Sequence, residues 1–429
     1  MTLLSRLRKR QQQGETTQVA IVGAGLIGRG IVRQIDLTPG MRSALIVNRT
    51  VQRAVDAYIA CGHQADDIIV SNDIEALQEA IWSAKPAVTD QLGVIADLPE
   101  LGVVVEATGA VQYGAEVALC AIRNQKHVVM MNAETDATVG PRLKCLADEA
   151  GVVYTNSDGD QPGVLKRLVE YVDGIGLEVV AAVNCKGFLD AYATPDTIRP
   201  WAERQNTSLP MTTAFTDGTK MNIENAVLAN ATGLVPQVRG MHGVTTELAA
   251  ALDDCLAVFG NRGLVDYTLG GDFGGGVFVI GYGVDPVMIQ PYMKYLKMGD
   301  GPNYLFFRPY HLCHMETPLS IAEAVLDGEP TIAPRPEPVA EVIAVAKRDL
   351  RAGERLDGIG GYTCFGRIDE VGKAGGLLPI GLTDNVLLTR PVQKDAPVPL
   401  DAVELDDNSL LMRLRREQMQ LPAVSARRA

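Results

Sequence analysis

Gln18-Val19-Ala20-Ile21-Val22 runs directly into Gly23-Ala24-Gly25-Leu26-Ile27-Gly28 near the start of the 429-residue chain. The apolar run predicts a buried strand, and Ile31, Val32 and Ile35 recur at helical spacing beyond the glycines. Glycines at this point permit a tight turn, close backbone approach to a pyrophosphate and a helix N-terminus that faces its charge. The stretch therefore predicts a Rossmann domain that binds a dinucleotide through Gly23, Gly25, Leu26, Ile27 and Gly28.

The end of the second strand bears on which dinucleotide is bound. Apolar residues 44–47 are followed by Asn48-Arg49-Thr50, where an NAD site usually places an acidic residue for the ribose hydroxyls. Arg49 instead offers a guanidinium that can pair with a 2′-phosphate. We expect NADPH as the cofactor, with Asn48 and Arg49 beside it. The alternative is that Arg49 points to solvent.

Three more apolar runs, at residues 103–106, 127–130 and 152–154, are separated by helical patterns. This alternation predicts a parallel sheet within a domain of residues 1–160. Ligands of such sheets lie beyond the carboxyl ends of the strands, so we expect Thr108, Gly109 and Asn132 to contact the cofactor. Turn formation and helix capping are the alternative roles of Thr108 and Asn132.

The segment Thr216-Asp217-Gly218-Thr219-Lys220 introduces a helical pattern in which Lys220 and Glu224 lie one turn apart. A lysine in the first turn opposes the helix dipole, so helix stability does not explain its presence. Reduction of a carbonyl leaves negative charge on its oxygen, and a nearby cation stabilises that charge. We therefore predict Lys220, Asp217, Glu224 and Lys186 as catalytic, with Thr216 and Asn222 binding substrate. The alternative is a solvated first turn.

Beyond Pro162 the sequence predicts a second, α+β domain of residues 161–316. Residues 277–280 and 304–307 are typical of antiparallel strands, and Arg308, Tyr310 and His311 follow the later one as expected substrate ligands. The apolar segment 277–284 predicts a homodimer contact. His311 and His314 are expected to be packed or capping side chains and not metal ligands. A helix over residues 317–328 is expected to return to the first domain, since Thr317 and Pro318 suit its start.

The remaining residues change in character. Residues 329–338 are rich in proline and predict a linker, and residues 339–429 predict a small β-rich domain. The predicted fold class is thus α/β, with an N-terminal Rossmann domain, an α+β substrate and dimerisation domain with an antiparallel sheet, and a small β-rich C-terminal domain.

Charge and cysteine content narrow the function classes. A net charge of −13 disfavours nucleic acid and anionic membranes as partners. The seven cysteines are scattered and form no CxxC pair, which predicts a reduced, cytoplasmic protein. The basic start is followed by glutamines, so it does not predict a secretory signal. No apolar run reaches the length of a membrane span.

The motifs together resemble a known superfamily. The glycine turn and the strand at 126–129 with Asn132 resemble the homoserine dehydrogenase superfamily. Residues 186–190, 216–220, 295–302 and 308–312 are similar to its deoxyxylulose phosphate reductoisomerase-like branch. Residues 347–361 are similar to the SAF domain of that branch. Ala133 departs from the superfamily, because homoserine dehydrogenases carry a lysine there.

This resemblance implies a reaction. The expected activity is NADPH-dependent reductive isomerisation of 1-deoxy-D-xylulose 5-phosphate to 2-C-methyl-D-erythritol 4-phosphate, an isoprenoid precursor. Lys186 and Arg308 would bind the phosphate, and either the lysines or a divalent metal ion, Mg²⁺ or Mn²⁺, would act as electrophile. The alternatives are a simple dehydrogenase of a semialdehyde, polyol or sugar acid, and a non-catalytic NADP-binding regulator.

Overall fold

The computed structural model describes residues 2–260 and 262–421. The chain divides into two compact units. Unit 1 contains residues 2–160, 312–336 and 408–421, and unit 2 contains residues 161–311 and 337–407, without residue 261. Residues 337–407, which the sequence assigns to a separate β-rich domain, thus group with the predicted substrate domain.

The first part of unit 1 is a seven-stranded sheet with helices in the connections. All its strand pairs are parallel, in the order β3-β4-β2-β1-β5-β6-β7. The strands are β1 Thr17–Val22, β2 Met41–Val47, β3 Ile69–Val70, β4 Ala87–Thr89, β5 Leu101–Glu106, β6 His127–Met130 and β7 Tyr154–Asn156. The helices are α1 Leu3–Gln12, α2 Leu26–Leu37, α3 Val51–Ala60, α4 Ile74–Trp82, α5 Val111–Arg123 and α6 Ala133–Ala150.

Local sequence explains how these elements begin and end. Asn132 caps α6, since its Oδ1 accepts the backbone N–H of Thr135 at 3.0 Å. Glu134 and Asp136 place negative charge in the first turn, where the helix dipole favours it. Gly151 ends the helix with a φ of 70°, a conformation that glycine adopts without strain.

Unit 2 contains a five-stranded mixed sheet in the order β12-β11-β8-β10-β9. Its strands are β8 Glu178–Lys186, β9 Val244–Thr245, β10 Leu264–Leu269, β11 Val277–Tyr282 and β12 Asn303–Arg308. Strand β11 pairs antiparallel with β8 and β12, whereas β10 runs parallel to β8 and β9. The helices are α7 Gln161–Gly174, α8 Pro195–Gln205, α9 Leu209–Thr216, α10 Thr219–Thr232, α11 Ala251–Val258 and α12 Pro286–Tyr295.

The chain then returns to unit 1 through α13, Cys313–Leu326, which packs against α2. His314 belongs to this contact, because a Cβ on Gly30 would lie 2.4 Å from its ring. Unit 2 resumes with β13 Ala340–Ala346, β14 Arg355–Asp357, β15 Cys364–Glu370, α14 Val371–Ala374, β16 Asp384–Leu388 and β17 Val403–Glu404. Helix α15, Leu410–Met419, completes the described part of unit 1.

The apolar segment predicted to form a dimer contact is mostly covered within the chain. Val277, Val279 and Ile280 have no exposed surface. Strand β11 lies between β8 and β12 in the sheet, and Ile280 packs in the hydrophobic core of unit 2. Val284, just beyond β11, is 63% exposed. The apolar character of β11 is therefore explained by its central place in the sheet.

Candidate functional site

The three glycines between β1 and α2 have different roles. Gly23 has a φ of 108°, and a Cβ there would lie 2.8 Å from the carbonyl oxygen of Ala107. A Cβ on Gly28 would lie 2.1 Å from the carbonyl oxygen of Gly23. A Cβ on Gly25 would meet no atom within 4 Å. The first and third glycines are thus required by the turn itself, while the second leaves open space.

That open space lies at the N-terminus of α2, where Leu26 and Ile27 form the first helical positions. Their N–H groups lack partners within the helix, so this end favours an anion. Asn48 supports the turn, because its Oδ1 accepts the N–H of Ala24 at 3.0 Å. Arg49 is exposed beside it. The turn therefore fits the pyrophosphate of a dinucleotide, and a 2′-phosphate contact from Arg49 remains a prediction.

Thr108 and Asn132 make contacts within the protein. Thr108 donates through its N–H, at 2.9 Å, and through its hydroxyl to Oε1 of Glu106. Burial raises the pKa of Glu106 to about 7. Besides capping α6, Asn132 donates through Nδ2 to the carbonyl oxygen of Ala110 at 3.2 Å. Gly109 turns the chain with a φ of 74°. The structural roles of Thr108 and Asn132 are thus visible, and their contact with a cofactor remains a prediction.

Helix α10 carries the predicted catalytic lysine and is buried around almost its whole circumference. Every residue from Thr219 to Ala231 is buried. A helix buried on all sides is normally apolar, yet this one contains Lys220 and Glu224. Buried charges require compensating partners, so the surroundings of these two side chains define a polar site.

Glu224 is the centre of that site. Its Oε2 accepts a hydrogen bond from Nδ2 of Asn184 at 3.2 Å and lies 3.3 Å from Nζ of Lys186. Lys186 in turn donates to Oε1 of Gln161 at 2.5 Å. Asn184 and Lys186 lie on strand β8, Gln161 is the first residue of α7, and Glu224 lies on α10. Four polar side chains from three elements therefore form one connected network.

The electrostatics of Glu224 follow from its neighbours. Burial by itself would raise the pKa of Glu224, but Lys186, Lys220, His311 and the Asn184 hydrogen bond together hold it below its ordinary value. The carboxylate is therefore ionised, and it balances the charge of two lysines in a buried setting. Lys186 and Lys220 thus place ammonium groups beside the carboxylate, and an ammonium group stabilises an anionic oxygen.

His311 faces the same carboxylate. Its Nδ1–H donates to the carbonyl oxygen of Gly275 at 2.6 Å. This hydrogen bond fixes the tautomer, because a neutral ring that carries its proton on Nδ1 has a lone pair on Nε2. Lys186, Lys220, Glu224 and His311 are therefore the predicted residues that the structure brings together.

The structure places Asp217 differently from the sequence prediction. Its Oδ2 lies 2.8 Å from Nζ of Lys347, and its Oδ1 accepts the N–H of Thr219 at 2.8 Å. Both charged side chains are almost fully buried. Burial raises the pKa of Asp217, and Lys347 opposes that rise. Asp217 therefore joins the start of α10 to the residue that follows β13, and its catalytic role remains a prediction.

Asn222 and Thr216 are likewise engaged by backbone groups. Asn222 accepts the N–H of Ile368 at 2.9 Å and donates to the carbonyl oxygen of Gly218 at 2.8 Å. Thr216 donates to the carbonyl oxygen of Thr212 at 2.9 Å. These contacts give both residues structural roles, and their contact with a substrate remains a prediction.

Arg308 and Tyr310 lie at the end of β12. The Arg308 guanidinium lies over the Tyr310 ring at 5.0 Å from its centre, and Tyr310 is exposed. The contact of both residues with a substrate, and of Arg308 with a substrate phosphate, remains a prediction.

Sequence reasoning missed Gln161 and Asn184. Asn184 interrupts an otherwise apolar strand directly before Cys185 and Lys186, and an uncharged polar residue in a buried strand is a signal that could have identified it. Gln161 opens a helix after a run of turn residues, a position that carries no such signal. Among the described residues, no group of three or more His, Cys, Asp or Glu side chains is arranged to hold a metal ion.

Two segments of the chain match models of known protein families. Residues 23–156 match the family model described as "Homoserine dehydrogenase, NAD binding domain", and residues 159–317 match "Oxidoreductase DRL, catalytic domain". The second match contains the whole Glu224 network. The chain is therefore an oxidoreductase with a nicotinamide nucleotide-binding domain of the homoserine dehydrogenase type. Neither match extends beyond residue 317. No curated protein matches the chain.

Several solved structures are similar to the chain at low sequence identity and with TM-scores below 0.5. A probable dehydrogenase from Thermotoga maritima is 11% identical, over 73% of this chain and 90% of its own, with a TM-score of 0.41. GenD2 from gentamicin A biosynthesis, solved with NAD, is 15% identical over 74% and 88%, with a TM-score of 0.42. A myo-inositol dehydrogenase from Corynebacterium glutamicum ATCC 13032 is 12% identical over 68% and 75%, with a TM-score of 0.36. At this distance they do not bear on substrate or cofactor.

No helix among residues 2–260 and 262–421 has both the length and the apolar character needed to cross a membrane.

Proposed function

We propose that the protein is an NAD(P)-dependent dehydrogenase or reductase that interconverts a carbonyl and a hydroxyl group in a small polyol, sugar acid or semialdehyde. The observation that carries this proposal is the buried Glu224 carboxylate held by Lys186 and facing Lys220 and His311. Such a network supplies a proton and stabilises an alkoxide, and reduction of a carbonyl requires both.

The nicotinamide supplies or accepts the hydride when it is bound. In the reductive direction, the carbonyl oxygen becomes an alkoxide and then takes a proton to give the hydroxyl group. Lys220 is the proposed proton donor, because an ammonium group can both attract the developing charge and release a proton. Lys186 adds a second positive charge beside the Glu224 carboxylate. In the oxidative direction, a neutral lysine takes the hydroxyl proton.

Simple reduction is favoured over the rearrangement that the resemblance implies. The two matched family models describe an oxidoreductase and a dehydrogenase domain, and neither describes a reductoisomerase. The same models speak against the non-catalytic regulator, because both describe enzyme domains.

The test follows NADH and NADPH absorbance with a panel of aldehydes, sugars, polyols and sugar acids, and includes 1-deoxy-D-xylulose 5-phosphate. Lys220→Ala and Lys186→Ala should lower kcat/KM by at least about 100-fold, the usual effect of losing an acid or an oxyanion donor. Cofactor binding, followed by nucleotide fluorescence, should persist in both variants. Lys166→Ala is the matched control, since Lys166 makes an exposed pair with Glu170 on α7.

Three outcomes separate the alternatives. Loss of turnover in the Lys220 and Lys186 variants alone supports the proposal. Wild-type rates in both variants refute the assigned chemistry. Formation of 2-C-methyl-D-erythritol 4-phosphate, identified by NMR, would restore the reductoisomerase reading in place of simple reduction.

A further inference from the structure

Two buried amides beside Glu224 have their orientations fixed by charged neighbours. The ammonium of Lys186 only donates hydrogen bonds, so Gln161 must present its Oε1 to it. The ionised carboxylate of Glu224 only accepts them, so Asn184 must present its Nδ2. The hydrogen-bonding partners therefore determine which end of each amide is oxygen and which is nitrogen, and exclude the flipped orientation.

The second polar atom of each amide has no hydrogen-bond partner among the described residues. These atoms are Nε2 of Gln161 and Oδ1 of Asn184. Both side chains are almost completely buried, with 1% of Gln161 and none of Asn184 exposed. Buried polar groups in native proteins nearly always have partners, so two exceptions in one network call for an explanation.

Asn230 is an example of a buried amide in unit 2 whose oxygen and nitrogen both have partners. Asn230 lies on the same helix as Glu224 and is also buried. Its Oδ1 accepts the N–H groups of Val339 and Ala340, at 2.8 and 2.9 Å, and its Nδ2 donates to the carbonyl oxygen of Ala340 at 3.1 Å. Oδ1 of Asn225, on the same helix, also has no partner among the described residues, so Gln161 and Asn184 are distinguished by their place in one network with Lys186 and Glu224.

We propose that Gln161 and Asn184 determine substrate specificity by recognising a hydroxyl group next to the reacting carbon. The inference rests on the proposed function, because the two amides hold the Lys186–Glu224 pair that is assigned to the chemistry. Nε2 of Gln161 donates to a hydroxyl oxygen, and Oδ1 of Asn184 accepts a hydroxyl proton. The preferred substrates are then α-hydroxy carbonyl compounds and the corresponding vicinal diols.

The complementary polarity of the two positions excludes other groups. A carboxylate or a fully ionised phosphate accepts hydrogen bonds but cannot donate one to Oδ1 of Asn184. An ammonium group donates but cannot accept one from Nε2 of Gln161. A hydroxyl group does both. A carbonyl compound without the neighbouring hydroxyl leaves both amide atoms unpaired, and sites of this kind discriminate strongly against such analogues.

The experiment compares substrates that differ only in that hydroxyl group. 2-Hydroxypropanal and propanal form the reductive pair, and propane-1,2-diol and propan-1-ol form the oxidative pair, each with NADH and NADPH. The wild-type protein should prefer the hydroxylated member by about 100-fold or more in kcat/KM, from two hydrogen bonds of about tenfold each. Gln161→Met and Asn184→Leu should each lower that preference by about tenfold.

The preference ratio separates recognition from a merely structural effect. Displacement of Lys186 or Glu224 by either substitution would slow both members of a pair equally and leave the ratio unchanged. Asn225→Leu is the matched control, because Asn225 is buried on the same helix but lies about 100° around it from Glu224. Its ratio should equal that of the wild type.

The outcomes distinguish the inference from the proposed function. A wild-type ratio near one, or unchanged ratios in the Gln161 and Asn184 variants, overturns the inference and leaves the dehydrogenase standing. Turnover of no member of either pair, nor of any carbonyl or alcohol in the wider panel, overturns the proposed function and the inference with it. A ratio that falls in the two variants and not in Asn225→Leu supports both.

Discussion

The Asp217–Lys347 pair gives the sharpest test of how unit 2 is held together. Asp217→Asn keeps the oxygen that accepts the Thr219 N–H and removes only the negative charge. Lys347 then remains buried without its carboxylate. Removing one member of a buried ion pair costs about 3 to 5 kcal/mol. Lys347 also donates to the carbonyl oxygens of Ala193 and Gly361, at 2.7 and 2.8 Å, so we expect about 3 kcal/mol.

The two tryptophans make unit 2 measurable by itself. Trp82 lies in unit 1 and Trp201 in unit 2, so fluorescence in a Trp82→Phe background reports on unit 2 during urea unfolding. Asp217→Asn should lower the unfolding free energy by about 3 kcal/mol, while kcat measured in the folded range changes less than about threefold. A double variant, Asp217→Leu with Lys347→Met, should regain much of the loss, because it leaves no unpaired buried charge.

Lys166→Ala serves as the control for this measurement, because its exposed pair with Glu170 should contribute less than about 0.5 kcal/mol. The reasoning fails if Asp217→Asn is as stable as the wild type and loses activity about 100-fold. That result would return Asp217 to the catalytic role predicted from sequence.

Four further expectations concern unit 1 and assembly. Burial raises the pKa of Glu106 from 4.5 to about 7, so between these pH values the folded state keeps a proton that the unfolded chain loses. The contribution of Glu106 to the unfolding free energy therefore falls as pH rises from about 4.5 to about 7. The unfolding free energy of Glu106→Gln, relative to that of the wild type, should therefore rise by about 3 kcal/mol between about pH 4 and pH 8. A difference between the two proteins that does not change with pH would contradict this. Gly25→Val should fold normally yet weaken cofactor binding at least about tenfold by calorimetry, whereas Gly28→Val should not fold. Arg49→Ala should raise the KM for NADPH and not for NADH; equal effects would remove its predicted role. Helix α12 has no buried residue, and its Val287 and Tyr295 side chains are exposed. We therefore expect light scattering to show a dimer, and the double variant Val287→Asp with Tyr295→Asp to be a monomer. A wild-type protein that is monomeric at micromolar concentration would refute this expectation.

Much of unit 1 could be predicted because its pattern is local. Apolar runs alternate with helical segments, and the glycine turn sits where strand and helix meet, so β1, β2, β5 and β6 were predicted close to their observed bounds. Strand β7 begins two residues later than expected, at Tyr154. Strands β3 and β4 were missed, since runs of two and three residues carry no measurable periodicity.

The site in unit 2 was only partly predictable. Lys220 and Glu224 lie one turn apart, a spacing that the sequence shows directly. Nothing near Asp217 in sequence indicates Lys347, because that partner lies in a distant segment. Gln161 and Asn184 were missed for the same reason, since their role depends on Lys186 and Glu224 being brought together by folding.

Helix α10 explains why its polar residues divide into two roles. At 3.6 residues per turn, Thr219, Asn222 and Asn230 fall on one stripe, and Lys220 and Glu224 fall about 100° or more around the helix. The first stripe bonds to backbone groups of Gly366, Ile368 and the start of β13. The second faces Lys186 and Asn184 on β8.

One buried helix thus joins strands β13 and β15 to the polar network around Glu224. The strands β13 and β15 fix the rotation of α10 through hydrogen bonds to one stripe of side chains, and that rotation determines where Lys220 and Glu224 point. Residues 337–407 therefore hold α10 in place without contributing a predicted catalytic group. Their grouping with residues 161–311 in one compact unit follows from these contacts, whereas composition alone indicated a separate domain.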